Sequence, residues 1–331
     1  MKKFLLMLVM LAFFYSLAVI LWQATGASFY LINFALIGTS LGVGMGLWPI
    51  LPKNKKRIGR LVSQILVGGY LFFGLGCGFI YLLAGYIRPE NMQTEGFWFW
   101  LFFGVFQAAV IHYVVAKIIG PLLFNRGWCG WACWTAAVLD LLPWRKSSGR
   151  LEKKWEYARY IHFAISLGLV IIVNFVLRRT VRENSGVIMT TAQASIGVTE
   201  YPSIAQIPEL WWFLIGSLFY FGSGVVLAAV LKDNRAFCKY VCPITVFLKL
   251  GARFSLVKIK ETAEGCNECG LCEKNCPMDI RVREYTRNGF RVGSTECIIC
   301  QTCISSCPKK VLGLSIGFDM GRADYLNRTR R

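Results

Sequence analysis

The sequence predicts an all-α membrane bundle of about six helices, followed by a small cysteine-rich α+β domain. Three observations carry that expectation. Of the 331 residues, 55% are hydrophobic, and mean hydropathy is +0.49. Several apolar runs approach twenty residues, which is what a helix needs to cross a hydrocarbon core of ~30 Å. Eight of the thirteen cysteines fall after residue 265, in two similar blocks. The basic residues behind a net charge of +19 gather in particular connecting segments.

Six segments qualify as spans: 4–22, 28–50, 61–87, 97–119, 158–177 and 210–231. The first follows Lys2 and Lys3, as a signal peptide would. Its apolar stretch is longer than a signal core and Gly26-Ala27-Ser28 is a poor cleavage site, so it reads as a retained helix. The glycines of GTSLGVGMG at 38–46 predict close helix contact or a bend, since a span offers no free helix N-terminus to a phosphate. Cys77, in GLGCGF, reads as a small packing residue. The aromatic run FWFWLFF at 97–103 reads as a belt at the outer interface.

Charge then orients the bundle. Segment 51–60 carries five basic residues and no acidic one, and 120–160 carries seven basic against three acidic. Loops 88–96 and 178–209 together hold four basic and five acidic residues. The positive-inside rule therefore places the N-terminus, 51–60, 120–157 and everything after Leu231 in the cytoplasm, N-in and C-in, in a bacterial inner membrane. The surplus charge is explained by the bilayer and its anionic headgroups, and no nucleic-acid motif accompanies it.

The cysteine blocks read CNECGLCEKNCP at 266–277 and CIICQTCISSCP at 297–308, both C-x2-C-x2-C-x3-C-P. In this spacing three thiolates of one loop serve one iron–sulfur cube, and the fourth reaches the other. Two [4Fe–4S] clusters are thus expected: Cys266, Cys269, Cys272 and Cys307 on one, Cys297, Cys300, Cys303 and Cys276 on the other. Zinc would need only paired C-x2-C units, and disulfides are disfavoured in a reducing compartment.

A second repeat lies upstream. NRGWCGWACW at 125–134 and NRAFCKYVCP at 234–243 align in Asn-Arg, in two aromatics and in C-x3-C, and the likeness continues over 125–142 and 234–251. This is an internal duplication with both copies on one side of the membrane. If each phrase begins a helix, its cysteines share a face, so Cys129, Cys133, Cys238 and Cys242 converge. The four thiols then suit a metal centre, a redox-active dithiol or plain packing.

These features together resemble the NapH/NosR-type membrane polyferredoxins, over most of 97–316. The resemblance implies membrane electron transfer through iron–sulfur clusters. The family usually writes both short phrases as C-x3-C-P; here Cys242-Pro243 fits and Cys133-Trp134 departs, which implies a distinct subgroup. No long domain precedes the spans, unlike the flavin-carrying region of NosR proteins.

Both histidines, His112 and His162, fall in expected spans near the inner side. Intramembrane ionisable groups are functional candidates. The pair suits a bis-imidazole haem b, a quinone or quinol site needing a base, or a structural role. The expected layout is helices one to three in 1–87, helices four to six with both C-x3-C phrases in 88–257, a ferredoxin domain in 258–316 and a basic tail in 317–331. The expected function is electron transfer between quinol/quinone and a ferredoxin-like or oxidoreductase partner, as a subunit more than a stand-alone enzyme. The alternatives are a maturation factor reducing a metal or thiol, and a membrane redox sensor. No catalytic triad, Walker motif or HExxH pattern is present.

Overall fold

The computed structural model describes residues 4–53, 55–84, 89, 91–102, 108–144, 147, 149–183, 208–263 and 265–328. Most of the expected outer loop 178–209, the end of the third expected span, Lys2, Lys3 and the last three residues lie outside the described residues. Helices are α1 (Leu5–Thr25), α2 (Ser28–Ile50), α3 (Lys56–Gly69), α4 (Phe79–Ala84), α5 (Thr94–Phe102), α6 (Ala108–Tyr113), α7 (Gly120–Phe124), α8 (Gly127–Trp131), α9 (Trp134–Leu139), α10 (Ala158–Glu183), α11 (Pro208–Leu231), α12 (Ala236–Tyr240) and α13 (Thr245–Ala252). Two π-helical stretches, Tyr70–Gly76 and Val114–Ile119, extend α3 and α6. Among the described residues, five helices are long and apolar enough to cross a membrane: Met7–Thr25, Ser28–Ile50, Lys56–Gly76, Lys153–Phe175 and Glu209–Leu231.

The expected span 97–119 is not one helix. In a continuous helix, Phe97 and Tyr113 would stand about 24 Å apart. Their rings instead stack at 4.3 Å, and Thr94 Oγ1 lies 3.2 Å from the Tyr113 hydroxyl. α5 and α6 therefore form a hairpin. Nor is the aromatic run an interfacial belt: Phe97 and Trp100 are buried, and Phe97 and Trp98 pack on Phe247 of α13.

The glycines of 38–46 do bring helices together. A methyl on Gly42 would stand 2.8 Å from Leu11 of α1, and one on Gly44 would stand 2.6 Å from the Gly59 carbonyl oxygen of α3. Cys77 packs with the apolar cluster of this half of the bundle.

After α13 the chain forms β1 (Val257–Glu261), α14 (Leu271–Lys274), α15 (Val282–Thr286), α16 (Thr302–Ser306) and β2 (Leu312–Ile316). The strands pair antiparallel, from Val257 opposite Ile316 to Glu261 opposite Leu312. One apolar core runs from Leu139, Tyr220 and Phe237 of the bundle into Met278, Ile298 and Ile299 of the cysteine-rich part. The two parts are welded together, with no linker between them.

Candidate functional site: three cysteine-lined cavities

The two C-x2-C-x2-C blocks fold alike. Glu268 and Ile299, Gly270 and Gln301, and Asp279 and Lys310 occupy matched positions, and all six have left-handed backbones. Such turns aim successive cysteines inward, and only one of the six is a glycine, so the surroundings hold the rest in place. Ile299, a β-branched residue at φ 48°, is the least comfortable. Its carbonyl accepts a 2.9 Å hydrogen bond from the Trp131 indole nitrogen of α8.

Cys266, Cys269, Cys272 and Cys307 line one cavity of about 370 Å³; Cys276, Cys297, Cys300 and Cys303 line a second of about 380 Å³. The first lies at the surface, with Cys266 and Cys269 exposed. The second is enclosed beside the bundle, where Arg126 donates its backbone N–H to the Cys297 carbonyl at 3.1 Å.

The C-x3-C phrases bring their four thiols together, though not in the way expected. Neither phrase runs as one continuous helix through both of its cysteines. Each folds as a one-turn helix, α8 or α12, then breaks at its second cysteine before the next helix starts. The break is the same in both copies. The Trp128 carbonyl accepts from the N–H groups of both Ala132 and Cys133 at 3.0 Å, and that of Phe237 accepts from Val241 at 2.9 Å and Cys242 at 3.0 Å. A side-chain exchange then locks the copies. Arg235 donates to the Cys129 carbonyl at 3.0 Å, and Arg126 to the Cys238 carbonyl at 3.4 Å. This explains why the repeated phrase begins with Asn-Arg. Cys129, Cys133, Cys238 and Cys242 line a third cavity of about 370 Å³, closed by Trp128, Phe237 and Tyr220.

Among the described residues, no group of three or more His, Cys, Asp or Glu side chains is drawn together as for a single metal ion. Four cysteines set around a cavity are the arrangement of a multi-iron cluster, whose iron and sulfide occupy the middle. Electrostatics agrees. Burial pushes the Cys238 thiol up to about 12 against the pull of Arg235, and burial and the neighbouring thiols raise Cys133 and Cys242 too. Burial likewise lifts Cys297 to about 12. Such crowded thiols stay protonated when bare and become thiolates only against a cationic core.

Carboxylates answer the buried arginines. Glu296, next to Cys297 and fully buried, accepts from Arg126 at 2.6 Å, Arg150 at 2.8 Å, Arg159 at 2.9 Å and Lys249 at 2.8 Å. Burial opposes its charge, yet these cations hold the carboxyl well below its usual range. Arg235 is bidentate on Asp140, at 2.9 and 2.6 Å, and Arg60 reaches the same carboxylate at 2.7 Å. Lys239 bridges Asp233 and Asp279, each at 2.6 Å. Glu296 has one signal in the sequence, an acidic residue abutting a cluster cysteine, and spacing rules do not weigh it.

The histidines part company. His112 lines a large apolar cavity of about 730 Å³, with Met10 and Phe14 of α1, Phe34 and Leu41 of α2, Trp128 and Ile299. Its Nε2 is buried without a hydrogen-bond partner. His162 is not on that cavity; its Nδ1 lies 2.9 Å from the Val241 carbonyl and its ring packs between Phe219 and Tyr220. The described cavity thus offers one imidazole, where a bis-imidazole haem needs two.

An apolar helical bundle joined to cysteine-ringed cavities defines a membrane-associated iron–sulfur protein. A 4Fe-4S dicluster domain model matches residues 265–312, and a 4Fe-4S binding domain model matches 98–154 and 213–260, the stretches that carry the two C-x3-C phrases. The chain is 27% identical to YccM of Escherichia coli over 61% of its own length and 54% of that protein. It is 24% identical to the ferredoxin-type protein NapH of Haemophilus influenzae, covering 60% of this chain and 65% of NapH. It is 25% identical to the regulatory protein NosR of Stutzerimonas stutzeri, covering 76% of this chain and 32% of NosR. The chain thus spans about half the length of YccM and a third of NosR. No solved structure matches it. The chain is thus similar to NapH and NosR proteins and carries two kinds of 4Fe-4S domain.

Proposed function

We propose that the chain conducts electrons between quinol or quinone in the membrane and a soluble redox protein on the cytoplasmic side, through three four-cysteine [4Fe–4S] sites. One observation carries the reading: three cavities, each lined by four cysteines. The fit is chemical as well, since every liganding group is a soft thiol. Clusters held there supply one-electron chemistry at potentials the protein sets.

The arrangement supports a sequence of sites. Trp128 lines both the apolar cavity and the C-x3-C cavity, and Ile299 lines both the apolar cavity and the cavity of Cys276, Cys297, Cys300 and Cys303. The 266–272 loop, with its exposed cysteines, ends the series at solvent, where a partner docks. Quinol must shed protons as it gives up electrons, and His112 offers its free Nε2 as acceptor at the cavity wall. The basic segments 51–60 and 120–160 favour the inner leaflet of a bacterial cytoplasmic membrane for this face.

The test is direct. Anaerobic full-length protein in liposomes, reduced with dithionite, should be reoxidised on adding a short-chain quinone, followed by its visible absorbance. His112→Ala should slow the exchange about a hundredfold or more while keeping its clusters, within the usual range of ~10²–10⁴ for a lost acid–base group. A reduced spectrum that quinone leaves unchanged contradicts the reading and favours a maturation factor that handles metals or thiols alone.

A further inference from the structure

We propose that Lys117 is the buried cation that sets the reduction potential of the C-x3-C centre, held against it by the face of Trp128. The inference rests on the C-x3-C cavity holding a cluster, and it concerns a residue that neither the repeats nor the cysteine spacing single out.

Lys117 is the one lysine or arginine in the apolar stretch 97–124. Its side chain is fully buried, and its Nζ has no hydrogen-bond partner. Among the described residues, no carboxylate pairs with it. The ammonium sits 3.0 Å from the centre of the Trp128 ring and 6.0 Å from that of Trp134. Those tryptophans directly precede Cys129 and directly follow Cys133, so the charge stands behind the wall of the cysteine cavity. It rides on the π-helical stretch Val114–Ile119, a rare local form that collects at functional sites.

The energetics demand an anion nearby. A cation gains less from the face of a buried ring than it loses when its ammonium leaves water. The nearest place for that anion is the cavity framed by Cys129 and Cys133, whose sequence neighbours Trp128 and Trp134 face the ammonium. A four-thiolate cubane answers this need, because its net charge is negative and grows by one on reduction. The other cations near the site are already matched: Arg126 pairs with Glu296, and Arg235 and Arg60 share Asp140. Lys117 alone among these is left to act on the cluster. A fixed positive charge at that place stabilises the reduced state and raises the potential.

The experiment is an anaerobic redox titration of full-length protein, followed by EPR, for wild type, Lys117→Met, Lys117→Gln and Lys117→Arg. Iron per chain is measured on each sample. The neutral variants should lower the equilibrium constant for reducing the C-x3-C centre tenfold or more, about 59 mV for one electron. The two ferredoxin-type clusters should keep their midpoints, and Lys117→Arg should keep all three. Unshifted midpoints in neutral variants that retain full iron overturn the proposal. If the neutral variants lose the third cluster, retention in Lys117→Arg upholds a charge role, and loss there too overturns it. Wild type with iron for two clusters only would instead overturn the third-centre reading beneath it.

Discussion

The outermost and innermost cysteine sites hold the same number of thiols in opposite ways. Cys266 and Cys269 are exposed on a loop braced by surface pairs, Glu268 with Arg287 and Glu273 with Arg283. Surface pairs of this kind contribute little and weaken in salt. Cys129 and Cys238 are buried, 5% and 6% exposed, and are held by arginines that reach across from the opposite repeat. Those arginines are in turn fixed by buried carboxylates. The contrast fits a path with two kinds of end. An outer site must meet a partner and exchange electrons with it. An inner site must keep water out and hold its potential.

The contrast predicts where substitutions will hurt most. Removing the Glu296 carboxylate strands Arg126 and Arg159 in the interior and leaves Arg150 only its pair with Glu156. Glu296→Gln should cost about 3–5 kcal/mol, the usual effect of orphaning buried charges, and lower the melting temperature sharply. The matching outer change, Glu268→Gln, should leave the melting temperature within a degree or two. Equal losses from the two would erase the distinction drawn here.

Gly130 sharpens it further. A methyl there would stand 2.2 Å from the Ile298 carbonyl oxygen, a backbone atom that cannot step aside easily. Gly130→Ala should cost about 1–3 kcal/mol and raise hydrogen exchange in the 297–301 loop, with the 266–272 loop unchanged. Trp131→Phe removes the indole donor to the Ile299 carbonyl together with part of a buried ring, and the unpaired acceptor alone costs about 1–3 kcal/mol. Its signature is the same loop loosening, read by the same measurement.

The smallest effect is a pH dependence. Burial opposes the charge of Asp140, but Arg235 and Arg60 hold its pKa at about 2, below the ordinary carboxylate value. A group depressed in this way contributes stability above the unfolded-state pKa of ~3.9 and loses it as pH falls through the folded value. Asp140→Asn should therefore be destabilised by about 2 kcal/mol at neutral pH, and the gap to wild type should close between about pH 4 and pH 2. A gap that persists at pH 2 would assign the loss to packing.

Sequence spacing made legible the grouping of the eight C-terminal cysteines, four around each of two cavities, because three cysteines per short loop is a local geometric demand. The upstream repeat was legible as a duplication, and so was the convergence of its thiols. Its local form was not: a helix was expected, but the carbonyls of Trp128 and Phe237 each take two N–H groups and end the helix after one turn. The packing of α5 against α6 was hidden because 97–119 is a nearly unbroken apolar stretch, in which hydropathy shows no break. Glu296 and Lys117 were hidden for another reason. A single charged residue in a sequence does not reveal whether tertiary structure will bury it, or against what. The histidines were equal in the sequence and differ in the structure, since only His112 faces the large apolar cavity.

Iron and acid-labile sulfide per chain, measured on anaerobically purified full-length protein, test the central claim most directly. The account predicts about twelve irons for three cubanes, falling to about eight in Cys129→Ala or Cys238→Ala with the two ferredoxin-type EPR signals intact. About eight irons in wild type, unchanged in both variants, would contradict it.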